Sequence, residues 1–131
     1  MPGINKVILV GHLGKNPDLR YIEGNVAVLS FPLATADQVM KNGIRTEQTE
    51  WHNIVMWRGM AEAAIKVLKK GKLVYIEGKC RTRPFEDKNG LKKYTTEIVA
   101  ESFVLLGRSS DFEADAPVDL TLDIPGKEIP Q

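Results

Sequence analysis

Apolar residues recur at helical spacing in one short stretch of this chain, at Met60, Ala63, Ala64, Val67 and Leu68; the other apolar segments have the length and β-branched character of strands. Three such segments precede the helix. Residues 5–13 (NKVILVGHL) are apolar on both faces, which suits a core strand or a subunit contact, and Gly14, Asn16 and Pro17 break the run. Residues 25–36 (NVAVLSFPLATA) form the second, with Pro32 marking an irregularity or an edge. Residues 51–57 (WHNIVMW) form the third. Gly71 closes the predicted helix in the left-handed conformation, just after Lys69 and Lys70 meet its negative end. Two further strands follow, residues 73–83 (LVYIEGKCRTR) and 93–106 (KYTTEIVAESFVLL). Asn42-Gly43 and Asn89-Gly90 set turns inside residues 37–50 and 84–92, which read as loops.

Three strands, one helix and two strands is the order of an OB-fold, a five-stranded barrel whose loops after the first and fourth strands, with one sheet face, bind oligonucleotides or oligosaccharides. The expectation is therefore an all-β domain over residues 1–107. Residues 108–131 lack periodicity and hold three prolines and many acids, which predicts a disordered acidic tail. With 131 residues, 43% of them hydrophobic, the chain is long enough for one real core. The single cysteine, Cys80, permits no intramolecular disulfide, no apolar run has bilayer length and the amino terminus lacks signal-peptide features. A cytoplasmic location is the default expectation.

Net charge is +1, but it is unevenly spread. Residues 1–110 carry 17 Lys and Arg against 11 Asp and Glu, a surplus of six, while residues 111–131 carry six acids against Lys127 alone. A basic body thus bears an acidic tail, although charge excesses of this size also occur on ordinary solvated surfaces. Catalysis finds little support. His12 and His52 lie in different strands without a spaced ligand set, the GHLGK string at residues 11–15 is too short for a phosphate loop, and Cys80 inside a strand reads as a buried, inert thiol. No cofactor or metal is expected.

Aromatic and cationic side chains do interleave on the binding segments of such a barrel. Trp51 and Trp57 stand an even number of residues apart in one strand, so both rings point to the same face. Arg81 and Arg83 likewise share a face and lead to Phe85, while Lys88, Lys92 and Lys93 precede Tyr94. Flat rings stack on any base and cations pair with any phosphate, so the mixture suits a single strand of any sequence. Tyr75 and Phe103, in apolar context, read instead as core.

Several strings in order resemble the bacterial single-stranded DNA-binding proteins: NKVILVGHLGKNPDLRY at residues 5–21, LAT at 33–35, EQTEWH at 47–52, KKGKLVYIEGKCRTR at 69–83 and KYTTEIV at 93–99. The resemblance implies an OB-fold homotetramer that wraps single-stranded DNA in replication, recombination and repair, with no catalysis and no cofactor. It places Trp51, Trp57 and Phe85 at base-stacking positions and Arg20, Arg81 and Arg83 along the DNA path, with Lys6 and Lys72 as weaker candidates. His52 falls at a subunit contact, and Val39 stands where an aromatic platform is common. Family tails end in acids followed by Ile or Leu, Pro and Phe, a peptide that recruits replication and repair proteins. Asp123-Ile124-Pro125 resembles that tip, but Gly126 and five further residues follow it. An RNA-selective module, a purely structural oligomer and an enzyme remain as competing readings.

Overall fold

The computed structural model describes residues 2–107; the predicted tail, 108–131, lies outside the described residues. Among these the elements run β1 (Val7–Leu13), β2 (Asp18–Ile22), β3 (Val26–Lys41), β4 (Ile44–Trp57), α1 (Arg58–Ala64), β5 (Leu73–Glu86) and β6 (Lys92–Leu105). The sheet order is β1-β5-β6-β4-β3-β2, and an additional β1–β3 pairing closes five of these strands into the expected barrel. The short β2 was not expected. It pairs with the first half of β3, through Asp18↔Ser30 to Ile22↔Val26, while β1 takes the same edge further along, at Leu33 and Ala34.

Pro32 sits in the gap where that edge passes from β2 to β1. Its carbonyl accepts the Gly14 N–H at 2.9 Å across that gap, an irregular place in the edge where a strand tolerates proline. Gly11 lets β1 and β3 cross closely, since a Cβ there would collide with the Ala34 carbonyl. The core is filled from alternate positions: Leu29, Phe31 and Leu33 from β3, Ile54 and Met56 from β4, Val74 and Ile76 from β5, Ile98 and Ala100 from β6.

Two stretches expected as loops are ribbons instead. Residues 37–50 belong to a continuous β3–β4 hairpin paired out to Lys41↔Ile44, and β5 and β6 pair out to Glu86↔Lys92. The helix is also shorter than expected, and its inner face is Ala61, Ala64 and Leu68, with Ala63 and Val67 exposed. After Ala64 the chain tightens through i→i+3 bonds such as Val67 N–H to the Ala64 carbonyl, so the helix ends before Gly71. Gly71 does take a positive φ of 91°, but its N–H goes to the Leu13 carbonyl, which makes it the turn into β5 rather than a helix cap.

Candidate nucleic-acid interface

The core claims Ile54 and Met56, so Trp51, Asn53, Val55 and Trp57 of β4 point to the opposite face. Register with β3 is unbroken from Val28↔Trp57 to Ala34↔Trp51, which puts both tryptophans on one face as their spacing predicts. On the other side of β4, β6 runs parallel with Val55 beside Val99, and β5 sets Arg81 opposite Glu97 and Arg83 opposite Thr95. A groove of about 530 Å³ results, with Val55 and Val99 in its floor, Arg81 and Arg83 along one wall, and Trp57 and Arg20 at the other. It continues past Ser30, Val55 and Glu97 toward Pro32, Asn53 and Lys15. Trp51, 61% exposed, lies with its ring edge against Gly14, where a Cβ would collide with Cζ3 and Cη2. A flat apolar floor between rings and guanidinium groups can hold bases inside and phosphates at the rim.

The model of the single-strand binding protein family matches residues 4–106. The chain belongs to that family. Single-stranded DNA-binding proteins of Neisseria meningitidis serogroups A and B are each 43% identical to it over 117 residues, spanning 88% of this chain and 67% of theirs. Among solved structures, a Plasmodium falciparum SSB complex with ssDNA superposes with a TM-score of 0.75 at 30% identity, covering 82% of this chain and 98% of that one. A deletion mutant of the Thermus aquaticus single-stranded DNA binding protein gives a TM-score of 0.72 at 32% identity over 82% of this chain and 53% of its own. The family is a non-enzymatic DNA-binding one.

Within this family member several of the predicted DNA-path cations already hold carboxylate partners. Arg83 Nη2 lies 2.9 Å from Glu97, Arg20 Nε 3.0 Å from Asp18 and Lys93 Nζ 3.3 Å from Asp87. Arg81 has no carboxylate partner among the described residues. Phe85 belongs to β5 rather than to a loop; it stands opposite Lys93, 39% exposed, in the row that carries Arg81 and Arg83. Lys88 projects from the loop beyond Glu86, and Lys92 opens β6 on the face opposite Lys93.

Of the predicted cations, Arg20, Arg81 and Arg83 line the groove, while Lys88, Lys92 and Lys93 lie on the β5–β6 hairpin and Lys6 and Lys72 lie elsewhere on the barrel. Lys6 pairs with Glu77 outside β1, where its hydrogen bond and charge, with the Tyr75 hydroxyl, hold the Glu77 carboxyl below the usual range. Lys72 enters β5 at the end of the barrel, its carbonyl accepting the Leu13 N–H. His52 is half-buried on the inward face beside Leu33, its Nε2 3.0 Å from the Thr35 hydroxyl, and Val39 shares that face rather than the one carrying Trp51.

Phe103 packs against the core as predicted. Tyr75 does not, because Val74 and Ile76 take the inward positions and its hydroxyl donates to Glu77 at 2.8 Å on the outside. Cys80 is exposed rather than buried: it follows Gly78 in the inward row but lies past the end of the core, its backbone held by the Asn5 amide. Gly11 and His12 of the GHLGK string lie within β1, and burial pushes the His12 ring below the usual histidine range, which keeps it neutral near pH 7.

Asn53, Glu97 and Lys15 line the groove but were not singled out from the sequence. Asn53 could have been found from its even spacing with both tryptophans, and Lys15 from its place in the loop after the first strand. Nothing in the sequence pairs Glu97 with Arg83, because that contact crosses from β6 to β5.

Proposed function

We propose that this chain binds single-stranded DNA in a sequence-tolerant way, coating and protecting it in replication, recombination and repair, and that it does so without catalysis. The carrying observation is the convergence of Trp57, Arg20, Arg81 and Arg83, drawn from β4, β2 and β5, on one open apolar-floored groove. Trp51, Trp57 and Phe85 supply stacking surfaces; Arg20, Arg81, Arg83 and the lysines of the β5–β6 hairpin supply phosphate contacts. The exposed apolar outer face of β1, with Ile8 57% and Val10 40% accessible, supports assembly with further copies, as a homotetramer. Among the described residues no helix is long and apolar enough to cross a membrane. Membership of a bacterial DNA-binding family is what supports a cytoplasmic location. The acidic residues 111–131 compete weakly with phosphates for the basic body, and partners in replication or repair are recruited there if Asp123-Ile124-Pro125 serves as the recruiting tip.

Tryptophan emission during titration with oligo-dT, at two salt concentrations, tests the reading. Quenching with salt-weakened binding is expected; unchanged emission at saturation refutes it. Competition with a matched RNA oligomer separates DNA from RNA preference, and light scattering showing a monomer at micromolar concentration refutes the tetramer.

A further inference from the structure

We propose that Arg58 is a further phosphate-binding residue of the nucleic-acid path, kept in a left-handed backbone conformation at the end of β4 so that its guanidinium meets the strand as it leaves the groove past Trp57. This rests on the reading that the groove takes single-stranded DNA. Among the described residues three that are not glycine have a positive φ: Asn25 at 59°, Asn42 at 52° and Arg58 at 56°. Asparagine visits that region because its short amide bonds to the local backbone, whereas arginine has no such relief and its Cβ crowds the neighbouring carbonyl. Gly59 follows directly, yet it is not the residue that takes the positive φ. The chain thus sets a long cation where a glycine would fit and a glycine beside it. That arrangement costs stability, which points to a use outside the fold.

The surroundings of Arg58 agree. It is exposed, and it holds no ion pair among the described residues. Glu62, four residues on in α1, is the acid that a cation at this position would reach, but it accepts the Tyr21 hydroxyl at 3.3 Å. As the first residue of α1, Arg58 also stands at the helix end where positive charge is disfavoured. Toward the groove its position is more favourable. Arg20, Val28 and Trp57 stand abreast across β2, β3 and β4, and Arg20 and Trp57 both line the groove. A base stacked on the Trp57 ring leaves its phosphates at the rim, next to the residue that follows in the chain. Arg20 and Arg83 share their charge with Asp18 and Glu97, whereas Arg58 meets a phosphate with its charge undivided.

Arg58→Gly separates a binding role from a structural one, because it removes the charge and relieves the backbone in one change. For the full chain, the readouts are anisotropy of labelled oligo-dT over a salt series and thermal melting of the free protein. Binding should weaken and the slope of log affinity against log salt should fall by about 0.7, so the affinity deficit should shrink about fivefold for each tenfold rise in salt. The same variant should melt no lower than wild type, since glycine occupies a φ of 56° without strain. Arg58→Lys, which keeps the charge, should keep the slope. A wild-type slope in Arg58→Gly, or a slope in Arg58→Lys as shallow as that of Arg58→Gly, overturns the proposal. So does a lower melting temperature for Arg58→Gly, which would mean that the side chain serves the fold. If wild-type protein binds no oligo-dT, the single-strand reading itself has failed and takes this one with it.

Discussion

The two long hairpins both turn at an Asn-Gly pair, yet they are built for different work. In β3–β4, Asn42 and Gly43 have φ of 52° and 79°, the pair of positive values of a two-residue type I′ turn, and pairing runs to the adjacent Lys41 and Ile44. In β5–β6, of Asn89 and Gly90 only Gly90 is positive, pairing stops at Glu86 and Lys92, and a five-residue loop remains. The Asp87 carboxylate closes that loop by accepting the N–H groups of Asn89 and Leu91, each at 2.9 Å. Residues 37–50 carry two cations against three acids, whereas residues 79–97 carry six against three. The tip of the first arm is apolar, with Met40 67% and Ile44 65% exposed; the second bears Phe85 and the arginine row. A tight turn makes a plain ribbon, while the second arm carries Phe85 and the arginine row on its paired strand and ends in an open loop.

The sharpest way to break this comparison is to remove rings from each arm. Phe85→Ala should cost on the order of 1 to 3 kcal/mol of oligo-dT binding, as should Trp51→Ala or Trp57→Ala at the groove, with circular dichroism unchanged. Met40→Ala or Ile44→Ala should cost much less. Equal losses from both arms would dissolve the division of labour. Charge reversal comes next: Arg83→Glu should flatten the salt dependence by about 0.7 for the phosphate it no longer neutralises, while Arg45→Glu on the first arm should leave the slope nearly intact.

Period-two alternation was legible wherever one face is buried. The even spacing of Trp51 and Trp57 places them together, and Arg81 with Arg83 follows the same logic; Ile54 and Met56, buried between the tryptophans, fix which face that is. Alternation fails where neither face is buried. The β3–β4 arm beyond Ala36 is exposed on both sides apart from Val39, so nothing in residues 37–50 marks it as a strand except the turn at its tip. Asp18–Ile22 was missed for the same reason, since only Leu19 is turned toward the core. Cys80 and Tyr75 show the converse. Each lies in an apolar-looking strand, but the end of the barrel at Gly78 and the inward claims of Val74 and Ile76 decide their burial, and both depend on contacts across the sheet. The ion pairs that restrain Arg83 and Lys93 arise the same way.

The turns themselves sharpen the contrast at smaller cost. Gly43→Ala forces a side chain onto a φ of 79° and should lower stability by about 1 kcal/mol in denaturant melts while oligo-dT affinity is kept. Gly90→Ala, at a φ of 80°, should cost a similar amount and also weaken binding, because Lys88, Lys92 and Lys93 hang from the loop it closes. Loss of binding from the first variant alone would assign the DNA-holding role to the wrong arm.

The smallest effect is a pH response confined to one arm. The Asp87 carboxyl is held below its ordinary value near 3.8, first by the Leu91 N–H, with further bonds from Asn89 N–H and the Lys93 ammonium. A folded-state pKa lower than the unfolded one means that the loop order due to the ionised carboxylate is fully present above the unfolded value and is lost as pH falls through the folded one. From pH 8 down to about 5 the loop should therefore be unchanged, and it should loosen only below roughly pH 4. Amide resonances of Asn89 and Leu91 should move in that acid window, while Gly43 and Ile44, whose turn contains no carboxylate, should stay put. Asp87→Asn should abolish the response and release Lys93 at neutral pH, raising oligo-dT affinity slightly at low salt, a gain that fades as screening shortens to about 10 Å at 0.1 M. Matching acid shifts at both turns would mean that the whole barrel is responding, and that the Asp87 carboxylate is not what distinguishes the two arms.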